Sequence, residues 1–183
     1  MTAFEEQESQ SEPLDWTILR DGGICLYWRS EILTGDLTWL ESHEYRVIAF
    51  DAAEWQSESD WESERRMHAA LKAQLSFPEY YGNNMNALNE CIQDDLVVPD
   101  FGGLALVLKH YDRIHKPATA VDGLSNSELV LHILAGAVRY HMLFGRRLLI
   151  LVQSDDPKIE FGRLGGVAAS WNRREWLNSS RDL

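Results

Sequence analysis

The side chains best suited to chemistry lie together in residues 77–92, Phe-Pro-Glu-Tyr-Tyr-Gly-Asn-Asn-Met-Asn-Ala-Leu-Asn-Glu-Cys-Ile. Pro78 ends helical geometry, Gly82 supplies a special dihedral, and Asn83 or Asn84 can cap a new helix. Tyr80 and Tyr81 are consecutive in this turn, so at least one is expected to face solvent. On the helix that follows, Met85, Leu88 and Ile92 point inward. Asn86 and Glu90, four apart, then share the outward face, with Asn89 and Asp94 close by. The chemistry on offer is recognition: a rigid helix edge that shows amide and acid groups beside an exposed tyrosine. The plain alternative is a solvated helix face next to a capping turn.

Catalytic and metal-binding patterns are missing. Phe161-Gly162-Arg163-Leu164-Gly165-Gly166 has neither dinucleotide nor P-loop spacing. There is no Gly-x-Ser-x-Gly elbow. No two of the six histidines stand three or four residues apart, and no Cys-x-x-Cys exists, so neither a metal nor another cofactor is expected. Cys91 beside Ile92 reads as an inert residue close to the core. The chain is expected not to be an enzyme.

The elements that must hold this stretch can be read from apolar periodicity. Tyr45–Asp51, Leu104–Leu108 and Arg146–Val152 are expected as buried strands, the second and the last five residues of the third being continuous apolar runs. Trp61, Met67, Leu71 and Leu75 have helical spacing, as do Met85, Leu88, Ile92 and Leu96. Ser125 with Glu128 three residues on is a capping-box pattern, and the helix it opens should stop at Gly145. Strands alternating with helices imply α/β architecture with a parallel sheet. Upstream, two apolar runs (16–20 and 24–28) flank Asp21-Gly22-Gly23 and predict a β-hairpin. A short helix is expected at 36–42. Residues 1–13 are expected as a disordered acidic tail, and the C-terminal stretch as ordered to about 178.

The chain has 183 residues, 29 acids and 17 bases, for a net charge of −12. Nucleic-acid ligands are disfavoured, because phosphate binding needs a basic surface; a basic protein partner is favoured. The charge is uneven: residues 1–64 hold 16 acids and three bases, and the rest hold 13 acids and 14 bases. No run of 18 apolar residues exists, so no membrane span is expected. The acidic N-terminal stretch has no apolar signal core, and two cysteines make no disulfide framework, so a cytoplasmic location is expected. Five of the seven tryptophans lie within residues 1–64, most simply as core.

FPEYYGNNMNALNECI strongly resembles the signature of the barstar family, intracellular inhibitors of the ribonuclease barnase. The similarity is ungapped from about Leu75 to Pro99 and extends in order and type over roughly residues 45–153. The resemblance implies a three-stranded parallel sheet packed with helices at 45–153. An N-terminal hairpin extension (14–44) and a C-terminal extension (154–183) would lie outside it. It implies a partner, a basic protein of the ribonuclease class, whose active site is covered. By position, the family's anchoring tyrosine falls on Tyr80 and its two inhibitory helix aspartates fall on Asn86 and Glu90. Its tryptophans fall on Asn89 and Asp95, and a further glutamate falls near Tyr140. The expected partner-binding set is Tyr80, Asn84, Asn86, Asn89, Glu90, Asp94 and Asp95. An amide at Asn86 cannot offset an active-site Arg or Lys, which points to a target other than barnase itself. A binding module with a non-nuclease partner is the alternative.

Overall fold

The computed structural model describes residues 12–116 and 124–176. Leu104-Ala105-Leu106-Val107-Leu108 and Leu148–Val152 have every side chain buried, so both faces of their sheet are covered. They form β3 (Gly103–Lys109) and β4 (Leu148–Gln153), which pair in parallel with Leu106 opposite Ile150. On the other side β3 pairs in parallel with β2 (Tyr45–Asp51), Tyr45 opposite Gly103. Parallel neighbours cannot be joined by a hairpin. The crossovers are α3 (Asp60–Leu75) and α4 (Met85–Asp94) between β2 and β3, and α5 (Asn126–Met142) between β3 and β4.

These three strands match the expected barstar-like α/β core, but the sheet is wider than three strands. Ile24–Tyr27 is β1, a parallel neighbour of β4 with Ile24 opposite Ile150. Ser170–Trp171 is a further parallel strand beyond β1, giving the order 45–51, 103–109, 148–153, 24–27, 170–171. Between β4 and that edge strand, Arg163–Leu164 (β5) and Val167–Ala168 (β6) make a small antiparallel pair, so the edge strand is β7.

The expected N-terminal hairpin is not formed. Residues 14–20 are a helix, α1 (Leu14–Arg20), with Asp15 in its first turn and Arg20 in its last. Ile18 and Leu19 are buried and Trp16 is exposed, a helical rather than an alternating pattern. All four β1 residues are buried, which suits a central parallel strand and not a half-exposed hairpin strand. Gly22 and Gly23 therefore close a helix, with φ of 104° and 82°. A side chain at Gly23 would collide with Val138 on α5, 2.3 Å away.

The remaining elements follow their local signals. The expected short helix at 36–42 begins earlier, as α2 (Ser30–Ser42). In α3, Met67, Leu71 and Leu75 are buried as expected, while Trp61 is exposed rather than inward. At the start of α5 both halves of the Ser125/Glu128 capping box are present. Residues 1–11 of the expected tail and residues beyond 176 lie outside the described residues.

The C-terminal segment is bound tightly to the front of the chain. A short helix, α6 (Arg173–Trp176), presents Glu175, whose buried carboxylate accepts from the backbone N–H groups of Trp28 (2.9 Å) and Arg29 (2.6 Å). It thereby satisfies the junction of β1 with α2, where no local side chain caps the helix. Buried Asp36 of α2 accepts from the Tyr27 hydroxyl, the Asn172 amide and the Arg174 guanidinium.

Candidate functional site

The turn between α3 and α4 is locked from below. Ser76 takes a left-handed conformation (φ 56°) and ends α3, and Phe77 is buried. Of the two consecutive tyrosines, Tyr81 is buried, its hydroxyl against Nδ1 of His68, and Tyr80 is 72% exposed. Asn84 is the cap of α4: its side-chain oxygen accepts from Ala87 N–H at 2.9 Å, and its amide donates to the Gly82 carbonyl at 3.1 Å. The Asn84 side chain thus builds the helix that carries the other candidates.

Leu88, Cys91 and Ile92 fix the inner face of α4, with Met85 partly buried against the same core. Cys91 is 1% exposed, and burial together with the nearby Asp95 carboxylate pushes its thiol up to about 11. It is a core residue, in a state unsuited to nucleophilic chemistry at neutral pH. Asn86, Asn89, Glu90 and Asp94 are all exposed. Asn89 accepts from the Gln93 amide at 2.9 Å. Among the described residues, no side-chain hydrogen bond or ion pair engages Asn86 or Glu90, so both are available to a partner.

The far end of the helix holds an arrangement that sequence spacing did not disclose. Tyr80 folds back along α4, and its hydroxyl donates to Asp95 at 2.6 Å. Tyr140 of α5 donates to Asp94 at 3.2 Å. Two phenols, one from the turn and one from the neighbouring helix, thus converge on adjacent acids. The bond to Asp95 raises the Tyr80 phenol to about 12, and the bond to Asp94 raises that of Tyr140. Both remain protonated donors at neutral pH. The resemblance points to the Tyr140 position, but its bond to Asp94, 46 positions earlier in the chain, is set by packing of α5 on α4. Buried His141, next to it, binds the Ile92 carbonyl through Nε2 at 2.9 Å and so ties α5 to α4. A carbonyl only accepts, so Nε2 carries the proton.

The site contains acceptors, amides and aromatic surface, but no paired nucleophile and base. No group of three or more His, Cys, Asp or Glu able to hold a metal occurs among the described residues. A cleft elsewhere, between α1, α2 and Ser170–Arg174, includes Asp36, Asn172 and Arg174, which are already bonded to one another. No helix among the described residues is long and apolar enough to cross a membrane.

Residues 57–140 match the family model described as Barstar (barnase inhibitor). That range includes α3, the turn, α4, β3 and α5 as far as Tyr140, and it lies inside the expected 45–153 core. A protein of Bacillus subtilis (strain 168), named "Putative ribonuclease inhibitor YrdF", is 40% identical over 53 residues. The alignment covers 29% of this chain and 54% of that protein, so the chain spans about half the length of the curated relative it matches.

Proposed function

We propose, from a chain that carries a barstar-family domain over residues 57–140, a protein-binding inhibitor that neutralises a ribonuclease or ribonuclease-like toxin. It acts by covering the enzyme's active site. The outward edge of α4 supports this reading: Asn86 and Glu90 are exposed on a helix whose other face is locked in the core, and Tyr80 is exposed on the turn that precedes it. A ribonuclease active site is basic because it binds phosphate. Glu90, Asp94 and Asp95 supply the opposite charge, and Tyr80 supplies a large aromatic contact of the kind that dominates interfaces.

The partner-binding set is Tyr80, Asn86, Asn89, Glu90, Asp94 and Asp95, with Asn84 holding the helix start and Tyr140 joining through Asp94. The amide at Asn86 shifts the preferred target away from barnase, whose basic site would meet one charge fewer there. Acting on the cytoplasmic side, such a protein would serve as an immunity protein for the cell that makes the toxin. No nucleic acid or cofactor takes part in this mode of action.

Titrating barnase and a panel of secreted bacterial ribonucleases with the full chain, while following RNA cleavage, tests the proposal. The expected result is stoichiometric loss of cleavage for at least one enzyme. Activity that persists for every enzyme at a large excess of the chain overturns it. A pull-down that retains a non-nuclease protein through Tyr80 and Glu90 would establish the alternative reading instead.

A further inference from the structure

Beyond the acidic edge, the same end of the molecule carries an apolar ledge. Val97 and Phe101 follow α4, and Leu143 and Phe144, three and four residues after Tyr140 and so on its face, close α5; all four are exposed, Phe101 at 80% and Leu143 at 82%. Three contacts hold the two segments side by side: Asp94 with Tyr140, the Ile92 carbonyl with His141, and Asp100 with Arg146 at 3.8 Å. Phe144 packs edge-on to Tyr140, ring centroids 5.2 Å apart. The ledge is therefore continuous with the Asp94–Tyr140 end of the acidic edge. Isolated exposed apolar residues are ordinary on a protein surface, but four gathered at one end beside a charged edge form a patch of the kind that meets partners.

We infer that the ribonuclease proposed above is gripped at two adjoining places. Its basic cleft takes the α4 edge, and an apolar surface beside that cleft packs on Phe101, Leu143 and Phe144. This rests on the inhibitor reading and adds the chemistry of the partner's rim. Charge selects the occupant. Asp94 and Asp95 border the ledge with no ion-pair partner among the described residues, while Asp100 is paired with Arg146, so a second copy of this chain docked there symmetrically would bring like charges together. A basic protein meets the same acids favourably. The two contacts divide the work: charge speeds encounter, and the desolvated apolar ledge slows release.

The test is calorimetric and kinetic binding of the full chain to barnase and to the same panel of secreted ribonucleases. For the enzyme bound, Leu143→Asp and Phe101→Ser should each weaken affinity by tenfold or more, mainly by faster dissociation. For Phe101→Ser, which changes no charge, the salt dependence of association should stay as in the unchanged chain. Both side chains are more than three-quarters exposed, so melting temperature should not move. Trp61→Ser, at a large exposed residue on α3, should leave affinity unchanged. If Glu90→Gln weakens binding while both ledge variants bind as the unchanged chain does, the ledge is overturned and the inhibitor reading stands. If no ribonuclease binds, both fall. If sedimentation shows a dimer that Leu143→Asp dissociates, the ledge belongs to self-association and the inference is overturned.

Discussion

At the scale of single residues, the two consecutive tyrosines show how one turn divides its labour. Tyr81 goes inward to His68, and Tyr80 stays outside with its hydroxyl on Asp95. Tyr80→Ala should cost about 2 kcal/mol or more of binding to the proposed ribonuclease partner, as central aromatic anchors do. Glu90→Gln should weaken binding and flatten its salt dependence, both readable by calorimetry at several ionic strengths. The buried histidines make a separate prediction. Burial lowers the pKa of His68, against the opposing pull of Glu64, and it lowers that of His141. The unfolded chain, with histidines near the ordinary ~6.5, then binds more protons than the folded one below that pH. Stability should be full above about pH 6.5 and fall as pH drops through that value, before the carboxylates titrate. Urea midpoints at pH 7.5 and 5.5 will show the loss, and His141→Gln should reduce it.

At the scale of elements, caps decide where helices begin, and not all caps are local. Asn84 caps α4 from the adjacent residue, and Asn84→Ala should destabilise the protein by about 1 kcal/mol in a denaturant titration. Glu175 serves the β1–α2 junction from the other end of the chain. Glu175→Ala leaves two backbone N–H groups without their acceptor, so a larger loss is expected, about 2–4 kcal/mol by the same measurement. The misread element teaches the same point. Residues 14–28 have apolar runs around a Gly-Gly pair, which suits a hairpin locally. Yet Ile24–Tyr27 can bury both of its faces only inside the sheet, beside β4. Once β1 is placed there, residues 14–20 have no strand to pair with. They pack as a helix held by buried Asp15, which accepts from the Tyr45 hydroxyl (2.8 Å) and from Arg147 (3.0 Å).

At the scale of the whole molecule, the uneven charge is in part internal complementarity. Acids of the first third meet bases from late in the chain: Asp15 with Arg147, Asp36 with Arg174, and Glu12 and Asp21 with Arg173. Both ends of the described residues are thereby fastened to one sheet, with β1 between β4 and β7. Deleting residues 1–13 should leave the melting temperature nearly unchanged, because the Glu12 pairs it removes are solvent-exposed and such pairs contribute little. Deleting 1–30 removes α1 and an inner strand, and should lower it sharply or prevent folding. Equal melting curves for the two truncations would show that the core stands without β1. The sequence by itself determined the elements whose signals are local. The continuous apolar runs of β3 and β4, the Ser125 capping box and the Pro78–Asn84 turn with its outward Asn86 and Glu90 all depend on residues within a few positions of one another. Only the tertiary structure decided which strand lies beside β4, that Tyr140 and Tyr80 converge on Asp94 and Asp95, and that an apolar ledge adjoins them. Each of these joins residues more than ten positions apart, and the free energy that selects such pairs comes from burial and from satisfying polar groups across the whole fold.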